Sequence, residues 1–362
     1  MKGFLASFLF LGILLGCLGP GINTGNTNTD PSSDANASGK YLLSSGTGSL
    51  HSFKINTNGT LSFKSKFDNL SNRGKVTIHP SGQFVYMASL TNAFDISFFT
   101  ASPSEGTLSQ NSDVVLNSCS DKGLLAIAGS GKYLIAKCGV KNFKSFSINP
   151  TTGEVNASEA SSGNTTGNIS NWTTSHNGTF LHILTSSQAI ETFGINPDNG
   201  SLLLIESFGV PPTQAIQMMT LLDGFLYFTE NAKAFYTYSI SSSGNLTILD
   251  DPAQQLGEVP TDFNVTSDTR FVYTLQSAGG ILGYSLTSGK NPQPLNGGNS
   301  FPNNLATGSS IVSDPGKKFV FVADESSQKI FTYSVNSTTG DLSNEVSIDE
   351  PSATIAMKLS IF

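Results

Sequence analysis

The sequence predicts an all-β fold, a seven-bladed β-propeller built of four-stranded antiparallel blades. Three observations carry that prediction: a strand-and-turn pattern repeated seven times, two chain ends that complete each other, and a composition poor in charge. Only 12% of the 362 residues are charged while Ser, Thr, Asn and Gly abound, which suits turns and exposed β-edges better than amphipathic helices.

The period is set by the aromatic residue that opens the clearest strand of each unit. These residues are Tyr41, Phe84, Tyr133, Phe180, Phe225, Phe271 and Phe319, spaced 43, 49, 47, 45, 46 and 48 apart. Periods of about 40 to 50 residues are those of propeller blades. We label the opened strand B, with strands A to D running from the inside outward. Strand C follows a short polar loop and sets an aromatic and an aliphatic residue on one side, as in Phe53 and Ile55, Phe193 and Ile195, or Tyr333 and Val335. Phe98 and Phe99 mark a less regular second unit. A glycine turn then leads to strand D, as at Gly59, Gly106, Gly153, Gly200, Gly244 and Gly340, because glycine reaches positive φ without steric cost. In the sixth unit Gly289 leads into Pro292 and Pro294, which predicts a short or irregular outer strand. Strand A precedes each opening aromatic through a tight turn.

The folding chain begins on strand B at Tyr41 with no strand A before it, and it ends on a spare strand of the A type, residues 352–362. Pairing that strand with residues 41–45 closes the ring and removes the edges an open array would expose. The propeller then occupies residues 39–362. A stack of β-sandwich domains would also show short strands, but it predicts no constant period.

Residues 1–16 read as a lipoprotein signal peptide, with Lys2, an apolar run from Phe4 to Leu15 and the lipobox-like stretch Leu14-Leu15-Gly16-Cys17. The apolar run falls short of the roughly 20 residues of a membrane-spanning helix. Cys17 is the expected lipidation site, where several acyl chains, palmitate among them, give a stable membrane anchor. The alternative is an ordinary cleaved signal with a chance cysteine. Leu18 stands where an Asp would signal inner-membrane retention, which favours the outer membrane of a bacterial cell envelope, periplasmic or surface-exposed. Residues 17–38 form a flexible, solvated tether that holds the propeller off the membrane. A net charge of −7 without any basic run excludes a nucleic-acid footprint.

The hairpins IHPSGQFVYMA (78–88) and VSDPGKKFVFVADES (312–326), with the turns FSINPTTGEV (146–155) and FGINPDNGSL (193–202), carry a family resemblance. They resemble the blades of the lactonase-type seven-bladed propellers, the family of 6-phosphogluconolactonase and a fungal carboxymuconate cyclase. The resemblance covers the chain after the tether and implies that fold. It also implies lactone hydrolysis, a carboxylic ester hydrolase activity, with His, Arg and acidic residues gathered in a central cleft. The matching motifs build blades, so they speak for fold more than for activity.

In a propeller the D-to-A and B-to-C loops share one face around the channel. On this reading that face carries Arg73, Lys75, Ser120, Asp121, Lys137, Lys141, Glu230, Asp262, Asp324 and Glu325. A lactonase needs a base or metal to activate water and a cationic group for the developing oxyanion, which makes Arg73, Glu230, Asp262 and Asp324 the candidate catalytic residues. No histidine joins them. His79 and His176 fall in A-to-B turns on the opposite face, where Asp314 and Asp268 stand in other blades, and His51 and His182 lie within or beside strands. Glu230, Asp262 and Asp324 are hard oxygen ligands that would suit a divalent cation in the channel, but they lack the spacing of a calcium loop. Solvated loop acids are the plainer reading, and no cofactor is expected. Arg73 and Lys75 would meet an anionic ligand or simply solvent. Cys119 and Cys138 flank the A-to-B hairpin of the third unit, within reach of a disulfide after export, and no His or third Cys accompanies them as a metal ligand. Trp172 reads as packing.

Two functions remain. One is a monomeric scaffold or binding lipoprotein that engages a ligand, a protein or a glycan and needs no catalytic residue. The other is a lactone hydrolase. The missing cluster of His and Arg places binding first, and convergence of the four candidates in one pocket would favour the enzyme.

Overall fold

The computed structural model describes residues 41–361 apart from residues 47, 71–72, 90–94, 103–104, 120–123, 176, 211–214, 222–223, 231–233, 250–253, 257–259, 277–278, 288–289 and 351–357. The signal peptide, Cys17 and the tether therefore lie outside the described residues. Seven antiparallel sheets follow one another along the chain, and among the described residues the one helical element is a 3-10 turn at Asn296–Gly298.

Blade one orders Lys358–Ile361, Tyr41–Gly46, Ser49–Ile55 and Leu61–Phe67 from the channel outward. The C-terminal strand lies antiparallel to the first strand, with Leu42 opposite Ile361 and Leu43 opposite Ser360. The ring closes as the two chain ends require. In blades two to seven the inner strands are Arg73–Ile78, Leu125–Ile127, Ile169–Thr174, Ala215–Leu221, Pro260–Val265 and Gly308–Ser313, each followed outward by its B, C and D strands. The less regular second unit has its outer strand in two pieces, Leu108–Gln110 and Val114–Val115. In blade six the outer strand is Lys290–Pro294, with a register shift at Ser285/Thr287, because proline donates no ladder hydrogen bond.

The core is divided among the seams between blades. Each of seven apolar clusters joins two neighbours, as where Leu42 and Phe53 of blade one meet Val312 and Phe321 of blade seven. This explains why an aromatic and a glycine recur in every unit. The opening aromatic of one blade lies on the turn glycine of the next: Tyr41 on Gly106, Phe84 on Gly153, Tyr133 on Gly200, Phe180 on Gly244, Phe271 on Gly340, and Phe319 back on Gly59 of blade one. A Cβ at any of these glycines would come within 1.8–2.7 Å of a ring carbon, and φ there is +70° to +91°, in the left-handed region. The seventh pairing would use Gly289, outside the described residues.

Hydroxyl groups repeat the same seam contact. Tyr86 donates to the Gly153 carbonyl at 2.6 Å and Tyr273 to that of Gly340 at 2.7 Å. Where the third residue of strand B is not a tyrosine, as in blades one and three, a serine of strand C does the same, Ser52 to Gly106 and Ser145 to Gly200. Blade four places His182 and Thr192 at these two positions, and they bond to each other at 3.0 Å.

Candidate functional site

The upper face of the ring carries the D-to-A crossings and the B-to-C loops. Inner strands start there and B strands end there, so register tells which residues share a layer. Arg73 opposes Ser89, Ala215 opposes Glu230, and Gly308 opposes Asp324. Arg73, Glu230 and Asp324 therefore occupy one uppermost layer, in blades two, five and seven. Asp262 lies just below, after a register shift that recurs at the same place in blades two, four, five, six and seven. Arg73, Lys75 and Glu230 are described through their backbone, and Ser120 and Asp121 lie outside the described residues.

Of the four candidate catalytic residues, the two whose side chains are described, Asp262 and Asp324, serve the fold. Asp262 is buried and accepts the amide of Phe263 at 2.7 Å and, across the seam, that of Ile311 in the inner strand of blade seven at 3.0 Å. Two residues on, Asn264 accepts the Ser313 amide at 3.0 Å, so side chains of blade six stitch onto the inner strand of blade seven. Asp324 is also buried. Its oxygens accept four amides, Ala306 at 2.6 Å, Thr307 at 3.2 Å, Ser326 at 2.9 Å and Ser327 at 3.2 Å, which fastens the crossing into blade seven to its own B-to-C corner. A carboxylate whose lone pairs are taken by several amides has none free to receive a proton from water, so it is poorly placed as a general base.

The same task recurs in other blades with different chemistry. Buried Glu191 of blade four accepts the Thr166 amide at 3.0 Å and its hydroxyl, pinning the crossing from blade three. Buried His51 of blade one bonds through Nδ1 to Glu350, on the crossing from blade seven, and its Nε2 lies 3.7 Å from Asp68. In blade three, Cys138 and Cys119 form a disulfide between the B-to-C corner and the crossing from blade two. Cys138 and Glu230 stand, like Asp324, at the sixth position counted from the opening aromatic. Glu230 thus occupies the corner-pin position of blade five.

Histidines supply no accessible base among the described residues. His79 accepts the Ser81 amide at Nδ1 and bonds to the Gly131 carbonyl through Nε2, so it is the neutral Nε2–H form, and burial lowers its pKa. Burial lowers His182 to about 3. His176 lies outside the described residues. Asp314 stands where His79 does, capping the turn of blade seven by accepting the Lys318 and Phe319 amides at 2.7 Å, and burial raises its pKa. Trp172 is buried edge-on against Phe143. Among the described residues no group of three or more His, Cys, Asp and Glu is placed to hold a metal ion. Lys141 on the upper face donates to the Thr166 carbonyl at 2.7 Å.

Sequence reasoning passed over Glu191 and Glu350 and placed His51 within or beside a strand without naming its partner. One signal was available: Glu191 interrupts an otherwise uncharged strand C, Ala189–Ile195, and a charge on a buried strand needs a partner.

Solved structures share this architecture over most of the chain. A candidate 6-phosphogluconolactonase from Bacteroides fragilis superposes with a TM-score of 0.72 at 16% identity, covering 92% of this chain and 100% of that one. A second candidate 6-phosphogluconolactonase, from Bacteroides uniformis, gives 0.72 at 18% identity over 89% and 99%. The fold is that of the lactonase-type propellers. The periplasmic gluconolactonase of Pseudomonas aeruginosa gives 0.71 at 14% identity over 88% and 99%. No protein-family model and no curated protein sequence matches this chain. At these identities the likeness concerns the fold, and the lactonase-type propeller is the scaffold on which this upper face is built.

Proposed function

We propose that the protein is a lipid-anchored, extracytoplasmic binding propeller that takes a ligand or partner at the upper mouth of its channel without hydrolysing it. The observation that supports this reading is the use of two candidate catalytic carboxylates of the upper face: Asp262 and Asp324 are buried and committed to backbone amides. Cys17 carries the anchor and residues 17–38 give the propeller its reach from an outer-membrane surface. Titration calorimetry of the detergent-solubilised full chain against sugar lactones and their open acids, with acid release followed in parallel, tests the reading. Heat of binding without turnover above buffer is expected, and lactone turnover rejects it. For the anchor, Cys17→Ser should move the protein from the membrane to the soluble fraction, and unchanged membrane retention rejects lipidation at Cys17.

Lactone hydrolysis is the second reading, favoured by similarity over 88–92% of the chain to structures described as lactonases. Its carriers would be Arg73 and Glu230, in blades two and five on opposite sides of the mouth. Turnover that Glu230→Gln abolishes while the fold persists would establish it.

A further inference from the structure

We propose that the Cys119–Cys138 disulfide is a target for thiol–disulfide exchange, and that its reduction frees the upper end of the inner strand of blade three at the channel mouth. The inner strand of blade three is short, Leu125–Ile127, against six or seven residues in blades two and four to seven. It pairs with strand B through Ile127, Ala126 and Leu125, and one further bond runs from the Lys137 amide to the Leu124 carbonyl at 3.1 Å. In blades four and seven the crossing just above the inner strand is fastened by a carboxylate on backbone amides; in blade three the disulfide does it covalently from the Asp324 position. The carboxylate pins are hydrogen bonds, and this one is a covalent bond that answers to redox state.

The two sulfurs differ in access. Cys138 is buried and Cys119 is partly exposed, so an incoming thiolate meets Cys119 first. A dithiol reductant attacks Cys119 Sγ, forming a mixed disulfide and releasing the Cys138 thiolate, which takes a proton. The second thiol of the reductant then displaces Cys119 and leaves as the cyclic disulfide, so two electrons and two protons reach the protein. The inner strand stays in the ring, because Thr77 of blade two and Trp172 of blade four both donate to the Leu125 carbonyl, at 3.2 and 3.4 Å. The change is therefore local.

Hydrogen exchange of the full chain with and without dithiothreitol tests this, with free thiols counted by mass. Amides of residues 125–128 should exchange at least about tenfold faster once both thiols are free, while residues 308–313 of blade seven keep their rate. Cys119→Ser/Cys138→Ser should show the fast rate with or without reductant. Three results would overturn the proposal: no reduction under native conditions, reduction with unchanged exchange at residues 125–128, or acceleration in every blade together.

Discussion

Replacing Gly200 by alanine probes the contact that turns seven hairpin units into a ring. Gly200 has φ +70°, and a Cβ there would sit 2.5 Å from Cδ1 and 2.6 Å from Cε1 of Tyr133 in the preceding blade. The left-handed conformation costs an L-residue about 1–2 kcal/mol. Moving a buried ring to relieve the overlap costs about 1–3 kcal/mol more. That movement also carries the Tyr133 hydroxyl away from the Asp198 carbonyl, which it reaches at 2.8 Å, a bond of about 1 kcal/mol. The expected loss is roughly 3–6 kcal/mol, read from urea unfolding followed by aromatic fluorescence and circular dichroism. Gly209→Ala is the control in the same blade: a Cβ there meets nothing within 4 Å, and its effect should stay within about 0.5 kcal/mol. A Gly200→Ala loss below about 1 kcal/mol, or equal losses in the two variants, would refute the idea that the aromatic-on-glycine seat holds the blades together.

Three further outcomes follow from buried polar groups. Because burial lowers His182 to about 3, the unfolded chain takes up a proton first as pH falls below 6.5. Stability from this group, full at neutral pH, is lost at up to about 1.4 kcal/mol per unit between those values; His182→Phe should flatten that slope in urea melts at pH 6, 5 and 4, with His79 still contributing in the same direction. Glu350→Ala takes from buried His51 the partner of its Nδ1 and should cost about 1–3 kcal/mol, more than replacing an exposed acid, as chemical denaturation would show. Asp324→Ala strips the acceptor from four amides, so it should speed hydrogen exchange at residues 306–307 and 326–327.

The fold was legible because its determinants are local and repeated. Tyr133 and Gly200 are 67 residues apart, yet each belongs to a motif visible within ten residues, and the constant period brings the motifs of adjacent blades together. Closure was legible for the same reason, since an unpaired strand B at Tyr41 demands a strand A from elsewhere. The upper face was less so. Asp262 and Asp324 look alike in sequence, but what decides their role is which distant backbone amide lies opposite, and that amide sits on another blade or on a crossing. Glu350 and His51 are 299 positions apart and belong to no repeated motif, so nothing local announces their contact. Irregular crossings set the chemistry of this face, and irregularity is what a periodic pattern cannot encode.

Ring closure by the C-terminal strand can be tested with one covalent probe. Leu43 and Ser360 face each other directly across the antiparallel pair of Tyr41–Gly46 and Lys358–Ile361. In a Cys119→Ser/Cys138→Ser background, Leu43→Cys with Ser360→Cys should form a disulfide under mild oxidation, seen as a loss of two mass units and a 43–360 linked peptide, because opposed residues have Cβ atoms about 4.5–5.5 Å apart. Leu43→Cys with Leu359→Cys, one position out of register, should remain reduced. Equal cross-linking of the two pairs, or none in either while the protein stays folded, would contradict closure in this register.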